Sequence, residues 1–403
     1  MAHEFAPLKN DLILRTAWGT APRVNSQVRM SNEHRSGSCA KVSPLRISAG
    51  RYLPEYHEAK DGRDFFECCR DPEVASTLTL QPIERFAGLL DAAIIFSDIL
   101  VIPQAMGMTV EMLDKVGPHF PEPLRSPDDG QYERVMQKKV DVASELDYVY
   151  KAITMTRTKL QGRVPLIGFC GAPWTLLCYM TEGGGSKTHR ESKTWIYKFP
   201  EAAKALLHKI SEVCVDYLAL QVKAGAQLIQ VFDSNAGELS PYTFKTFSEP
   251  YLAYIAEHLP KRLQEMGLER VPMIVFPKGA NHAIDSVCNI GYNVIGLDWV
   301  IDPAEAVKIR GDRKIVFQGN ADPGILYGSH ENITETVEHM VKGFGGGKGG
   351  WIANLGHGKQ SSSHPNHSVT DWANKFSIQG VTPFVKPDDL KFYLSEVQRV
   401  SKR

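Results

Sequence analysis

Asp98 is the one carboxylate in the apolar run AIIFSDILVIP. A carboxylate buried there, ionised and unpaired, costs on the order of several kcal/mol, so it needs donors. They come either from backbone amides at a capped turn or from a ligand. Arg51, in AGRYLPEY directly after Gly50, has the setting of a guanidinium held in a loop to grip carboxylates. Its other reading is a surface arginine lying over Tyr52. His357 sits in NLGHG between glycines that let a backbone come close to a ligand. It reads equally as a structural histidine bonded to its loop. Ser234 has no histidine or acid spaced for a nucleophile elbow, so its hydroxyl reads as a hydrogen-bond donor.

The elements around these residues are short apolar runs that end on small or polar residues. They are AAIIFSDI (92–99), VPLIGFCGAP (164–173), LIQVFDS (228–234), MIVFPKG (273–279), VIGLDW (294–299), IVFQGN (315–320) and WIANLGHG (351–358). Runs of this kind suit strands buried on both faces. Helical patterns lie between them. In EAAKALLHKISEVCVDYLALQVKAG, Leu206, Leu207, Ile210, Val213, Cys214 and Tyr217 recur at helical spacing, and Gly225 marks a stop. Strand and helix alternating this many times predicts an α/β fold, a single (β/α)8 barrel, with an open doubly wound sheet as the runner-up. No GxxxxGK[ST] and no GxGxxG after a strand supports the open sheet. Barrel chemistry sits where strands end. Those ends carry Asp98, Tyr179, Asp233, Ser234, Lys278, Asp298, Gln318, Asn320 and His357. Seven strands are counted, and the eighth is expected ahead of AGRYLPEY.

The 403 residues have a formal net charge of zero, which argues against a dedicated nucleic-acid binder. An anionic ligand must then be held by local charges. Seven cysteines without CxxC spacing read as free thiols, and neither HxxxH nor His-x-Cys occurs, so no metal site is expected. LLDAAIIF is too short to cross a bilayer, and the first residues have no apolar signal core. A cytoplasmic protein without a membrane partner is expected.

Taken in order, AGRYLPEY (49–56), LQPIERF (80–86), DAAIIFSDIL (91–100), FPEPLR (120–125), PLIGFCGAPWTLLCYMTEGGGS (165–186), QVFDSNAG (230–237), VIGLDW, QGNADP (318–323) and NLGHG resemble the uroporphyrinogen decarboxylase family. The resemblance spans most of the chain. It implies one barrel domain over 1–403 that pairs as a homodimer with facing clefts. The reaction implied is removal of the four acetate carboxyl groups of uroporphyrinogen III, giving coproporphyrinogen III in heme biosynthesis, with no metal or organic cofactor. Asp98 and Tyr179 match catalytic positions. Arg51, Phe169, Phe232, Ser234 and His357 match positions that hold substrate carboxylates or wall the cleft.

The chain departs from the family in two places. Where the family reads Met-Arg-Gln-Ala-Gly-Arg, this chain has Arg46-Ile47-Ser48-Ala49-Gly50-Arg51. Ile47 replaces an arginine, and Arg46, one residue off, would face the other side of a strand. The polar segment 24–48 stands where the family has its first strand, and segment 359–379 separates NLGHG from the last helix. Both read as translated introns or as surface insertions. Two alternatives follow: a catalytically impaired or misassembled family member, and a related barrel methyltransferase, which would carry the His-x-Cys zinc ligands that are lacking here.

Overall fold

The computed structural model describes residues 5–9, 53–113, 117–346, 351–356 and 385–401. Within them the seven apolar runs become seven parallel strands. These are β1 (Ala93–Ile94), then, after a hairpin of β2 (Glu111–Leu113) and β3 (Gly117–His119), β4 (Leu166–Gly171), β5 (Leu228–Asp233), β6 (Met273–Pro277), β7 (Val294–Gly296), β8 (Val316–Ala321) and β9 (Trp351–Leu355). They pair in the order β1-β4-β5-β6-β7-β8-β9, with β2 and β3 forming their own antiparallel pair. Every residue of β4, β5, β6, β8 and β9 is buried, because helices cover one face and barrel side chains fill the other. This is the sheet of a (β/α)8 barrel with seven of its strands among the described residues. Its two edges there are β1 and β9, and the segment expected to supply the eighth strand lies outside the described residues, as do Arg51, His357 and 359–379.

The connecting helices begin where the chain supplies starts. Pro72, Pro173, Pro200, Pro241 and Pro303 each stand in a first turn, where a missing N–H costs nothing. Asp71 and Asp302 add side-chain caps. The predicted helix over 201–225 runs from Pro200 to Ala224, burying Leu206, Leu207, Ile210, Val213, Cys214 and Tyr217, and Gly225 ends it at φ 121°.

One strand is shorter than its apolar run. β1 keeps only Ala93 and Ile94 in the ladder. Phe96 turns its N–H to the Thr79 hydroxyl at 2.9 Å, and that hydroxyl donates to the Ala75 carbonyl at 2.7 Å. The early departure leaves β4 without a neighbour higher up. Pro165 and Ile167 carbonyls accept from Ala93 and Ile95, but at Phe169, next on the same side, the β1 ladder has ended and no other strand among the described residues takes its place on that side. Gln221, from the helix Pro200–Ala224, fills the gap: its Oε1 accepts the Phe169 N–H and its Nε2 donates to the Phe169 carbonyl, both at 2.9 Å. Gly168 makes room, since a Cβ there would lie 2.4 Å from Gln221 Oε1.

Candidate active site

Asp98 lies four residues beyond β1, in the loop that Thr79 pulls from the ladder, and is 7% exposed. Gly171, the last residue of β4, lets that loop close on the barrel. A Cβ at Gly171 would stand 3.2 Å from Ile99 Cβ and 2.8 Å from Leu176 Cδ2. Those contacts join the Asp98 loop to the helix Pro173–Glu182, which carries Tyr179 on its outer half. Tyr179 is half-buried, and its phenol is pushed above its ordinary value of 10, first by burial and then by the Asp98 charge. It stays a neutral hydrogen-bond donor across the physiological range.

Phe169 and Phe232 form the next wall. Their rings meet edge to face with centroids 5.6 Å apart, and both are buried. Phe276 extends the wall, opposite Phe232 in the β5–β6 register and perpendicular to it at 6.5 Å. Gly296 of β7 admits the Phe276 ring, because a Cβ there would lie 2.6 Å from Phe276 Cδ2. Ser234 follows β5, half-buried, and its hydroxyl makes no hydrogen bond among the described residues. Asp98, Tyr179, Phe169, Phe232 and Ser234 thus share the strand-end side of the barrel.

Other strand-end residues brace the fold. Asp233 is fully buried, with Oδ1 accepting the Thr175 hydroxyl at 2.7 Å and Oδ2 the Ser248 hydroxyl at 2.6 Å. Burial raises its pKa to about 6 against the lowering effect of those bonds. Asp298 accepts from the Gly279 N–H at 2.6 Å, the Val300 N–H at 3.0 Å and Asn281 Nδ2 at 3.2 Å. Asn320 donates to the Asp298 and Ile301 carbonyls. Lys278 is half-buried, with its ammonium pKa lowered by burial against the charges of Asp298 and Glu238. Gln318 is buried, and its Oε1 accepts no hydrogen bond among the described residues.

Two neighbours escaped sequence reasoning. Phe276 was detectable only through the register that sets it against Phe232. Tyr148, on the helix Asp147–Leu160, has its phenol raised by burial, then by Cys69 and Asp98. No local pattern links it to Asp98, because the two meet only through folding.

The fold and site define a parallel barrel whose strand ends present the buried Asp98 carboxylate, a neutral phenol and a phenylalanine wall. The family model described as uroporphyrinogen decarboxylase (URO-D) matches residues 38–370, and the chain belongs to that family. It is 49% identical over 394 residues to the uroporphyrinogen decarboxylase of Schizosaccharomyces pombe, covering 97% of this chain and 98% of that one. The Danio rerio enzyme is 50% identical over 364 residues, and the human enzyme 47% over 363, each covering 90% of this chain and 92% of the relative. A solved methyltransferase from Methanosarcina mazei shares the fold, with a TM-score of 0.65 at 17% identity, covering 98% of this chain and 99% of that one.

Proposed function

We propose that this chain decarboxylates the four acetate side chains of uroporphyrinogen III, giving coproporphyrinogen III, with Asp98 as the charge that stabilises the reacting ring. Family membership supports the reaction. The single observation that carries the role of Asp98 is its burial past the end of its strand, where its charge acts on the buried Tyr179 phenol.

The chemistry asks for such a group. A proton enters a pyrrole α-carbon, and the ring becomes an electron sink. The bond from the methylene to the carboxyl carbon then breaks, its electron pair flows into the ring, and carbon dioxide leaves. A second proton converts the methylene to a methyl as the α-proton departs, so each cycle consumes one proton. Positive charge grows on the pyrrole before the bond breaks. Asp98 accepts hydrogen bonds from pyrrole N–H groups and offsets that charge in a site largely shielded from water. The phenylalanines pack the macrocycle. Tyr179 and Ser234, with Arg51 and His357, hold substrate carboxylates.

The same reading takes 1–403 as one domain interrupted at 24–48 and 359–379, and the protein as a cytoplasmic homodimer. Among the described residues no helix is long and apolar enough to cross a membrane. The test is Asp98→Asn, which keeps the shape and removes the charge. Turnover of uroporphyrinogen III is expected to fall by about a thousandfold or more while the unfolding midpoint holds. A variant that retains most of its turnover refutes the role of Asp98.

A further inference from the structure

The opposite end of the barrel holds a cavity of about 1410 Å³ that the reaction does not use. It lies against the helices Asp147–Leu160 and Pro200–Ala224, and includes Ala226 and Gln227 just before β5, whereas Asp233 and Ser234 follow that strand. A six-residue strand, roughly 17–20 Å long, separates the two ends. Phe5 forms one wall. Its segment is held by the Lys9 N–H, which donates to the Gly162 carbonyl at 2.7 Å.

Arg157 lines this cavity, 5% exposed, with its guanidinium carbon 5.4 Å from the Phe5 ring centroid. Its Nη1 is buried and donates to nothing among the described residues. Gly225 is what lets Phe5 and Arg157 meet, since a Cβ there would lie 2.9 Å from Phe5 Cζ and 3.0 Å from Arg157 Cγ. A guanidinium keeps its charge when buried, so an idle donor on it calls for an acceptor. Two other cations of the wall are already satisfied, Lys151 by Asp147 at 2.5 Å and Lys159 by Glu73 at 2.9 Å. Lys223, exposed at the rim, has no ion pair among the described residues, as Arg157 has none there. Much of the remaining wall is hydrocarbon, including Met155, Leu220, Val222 and Leu268.

We infer that this cavity is a second ligand site, taking an apolar carboxylate whose acid group meets Arg157 and Lys223 and whose hydrocarbon body lies on the apolar wall. A fatty-acid chain and a porphyrin carboxylate share that chemistry. Calorimetric titration of the full chain with decanoate and, separately, with coproporphyrin III distinguishes them, the second arm alone drawing on the proposed reaction. Decanol is the neutral control. At least one carboxylate should saturate one site per chain. Arg157→Gln should weaken it about tenfold or more, the loss of a charged hydrogen bond, and Met155→Trp should block it by filling the space. Asp98→Asn should leave it unchanged, which separates it from the strand-end site. If Arg157→Gln does not fold, Lys223→Gln and Met155→Trp decide the matter. The inference is overturned if neither carboxylate saturates a site, if decanol binds as well as decanoate, or if binding survives the variants that fold.

Discussion

Asp98 and Asp233 are both buried carboxylates at strand ends, and their surroundings assign them different work. Asp233 spends both oxygens on the hydroxyls of Thr175 and Ser248 and so ties its strand end to the helix Pro173–Glu182. Its pKa of about 6, against an ordinary 3.8, means that the folded chain favours the protonated form. The stability this contributes is fully present below pH 3.8 and is lost as pH rises through 6, a change of about 3 kcal/mol by linkage. Asp233→Asn removes that dependence. In urea unfolding, the variant should gain on the parent by about 2 kcal/mol between pH 4 and pH 7, and a constant difference would contradict the account. Asp98 instead projects its charge onto Tyr179, whose raised pKa keeps the phenol protonated. Tyr179→Phe should lower kcat/KM by about tenfold, the value of one hydrogen bond to a charged group, with the unfolding midpoint little changed. Unchanged kinetics would remove Tyr179 from the site.

At the scale of elements, the Asp98 loop exists because β1 stops early, and the early stop is tolerated because Gln221 replaces the missing neighbour of Phe169. Gln221→Leu would leave two buried backbone groups unpaired, at about 1–3 kcal/mol each. Its unfolding free energy should fall by about 2–6 kcal/mol, and kcat/KM should fall as Phe169 shifts. A variant as stable as the parent would mean that the glutamine is no brace. None of this was legible beforehand. The run around Asp98 is apolar apart from Ser97 and Asp98 and reads as one strand over 92–99, because hydrophobic pattern reports burial and not hydrogen-bond partners. The runs that became β4, β5, β6, β8 and β9 were legible for the same reason, since in them full burial and ladder pairing coincide. Asp233 and Asp298 show the complementary failure. A polar residue at a strand end carries the same mark whether it faces a ligand or braces a neighbouring loop.

At the scale of the molecule, the parallel barrel brings Asp98, Phe169, Tyr179, Phe232 and Ser234 to one end from three separate stretches of chain. Order along the sequence carried the family resemblance, and the family model and relatives agree with it. The departures at 24–48 and 359–379 bear on whether this chain turns over its substrate as its relatives do. The most direct measurement is anaerobic incubation of the purified full chain with uroporphyrinogen III and a chelator, followed by chromatography of the oxidised products. The account predicts stepwise loss of four carboxyl groups and accumulation of coproporphyrinogen III. Uroporphyrinogen left intact by a folded chain, while a version with 24–48 replaced by the family strand converts it, would contradict the account.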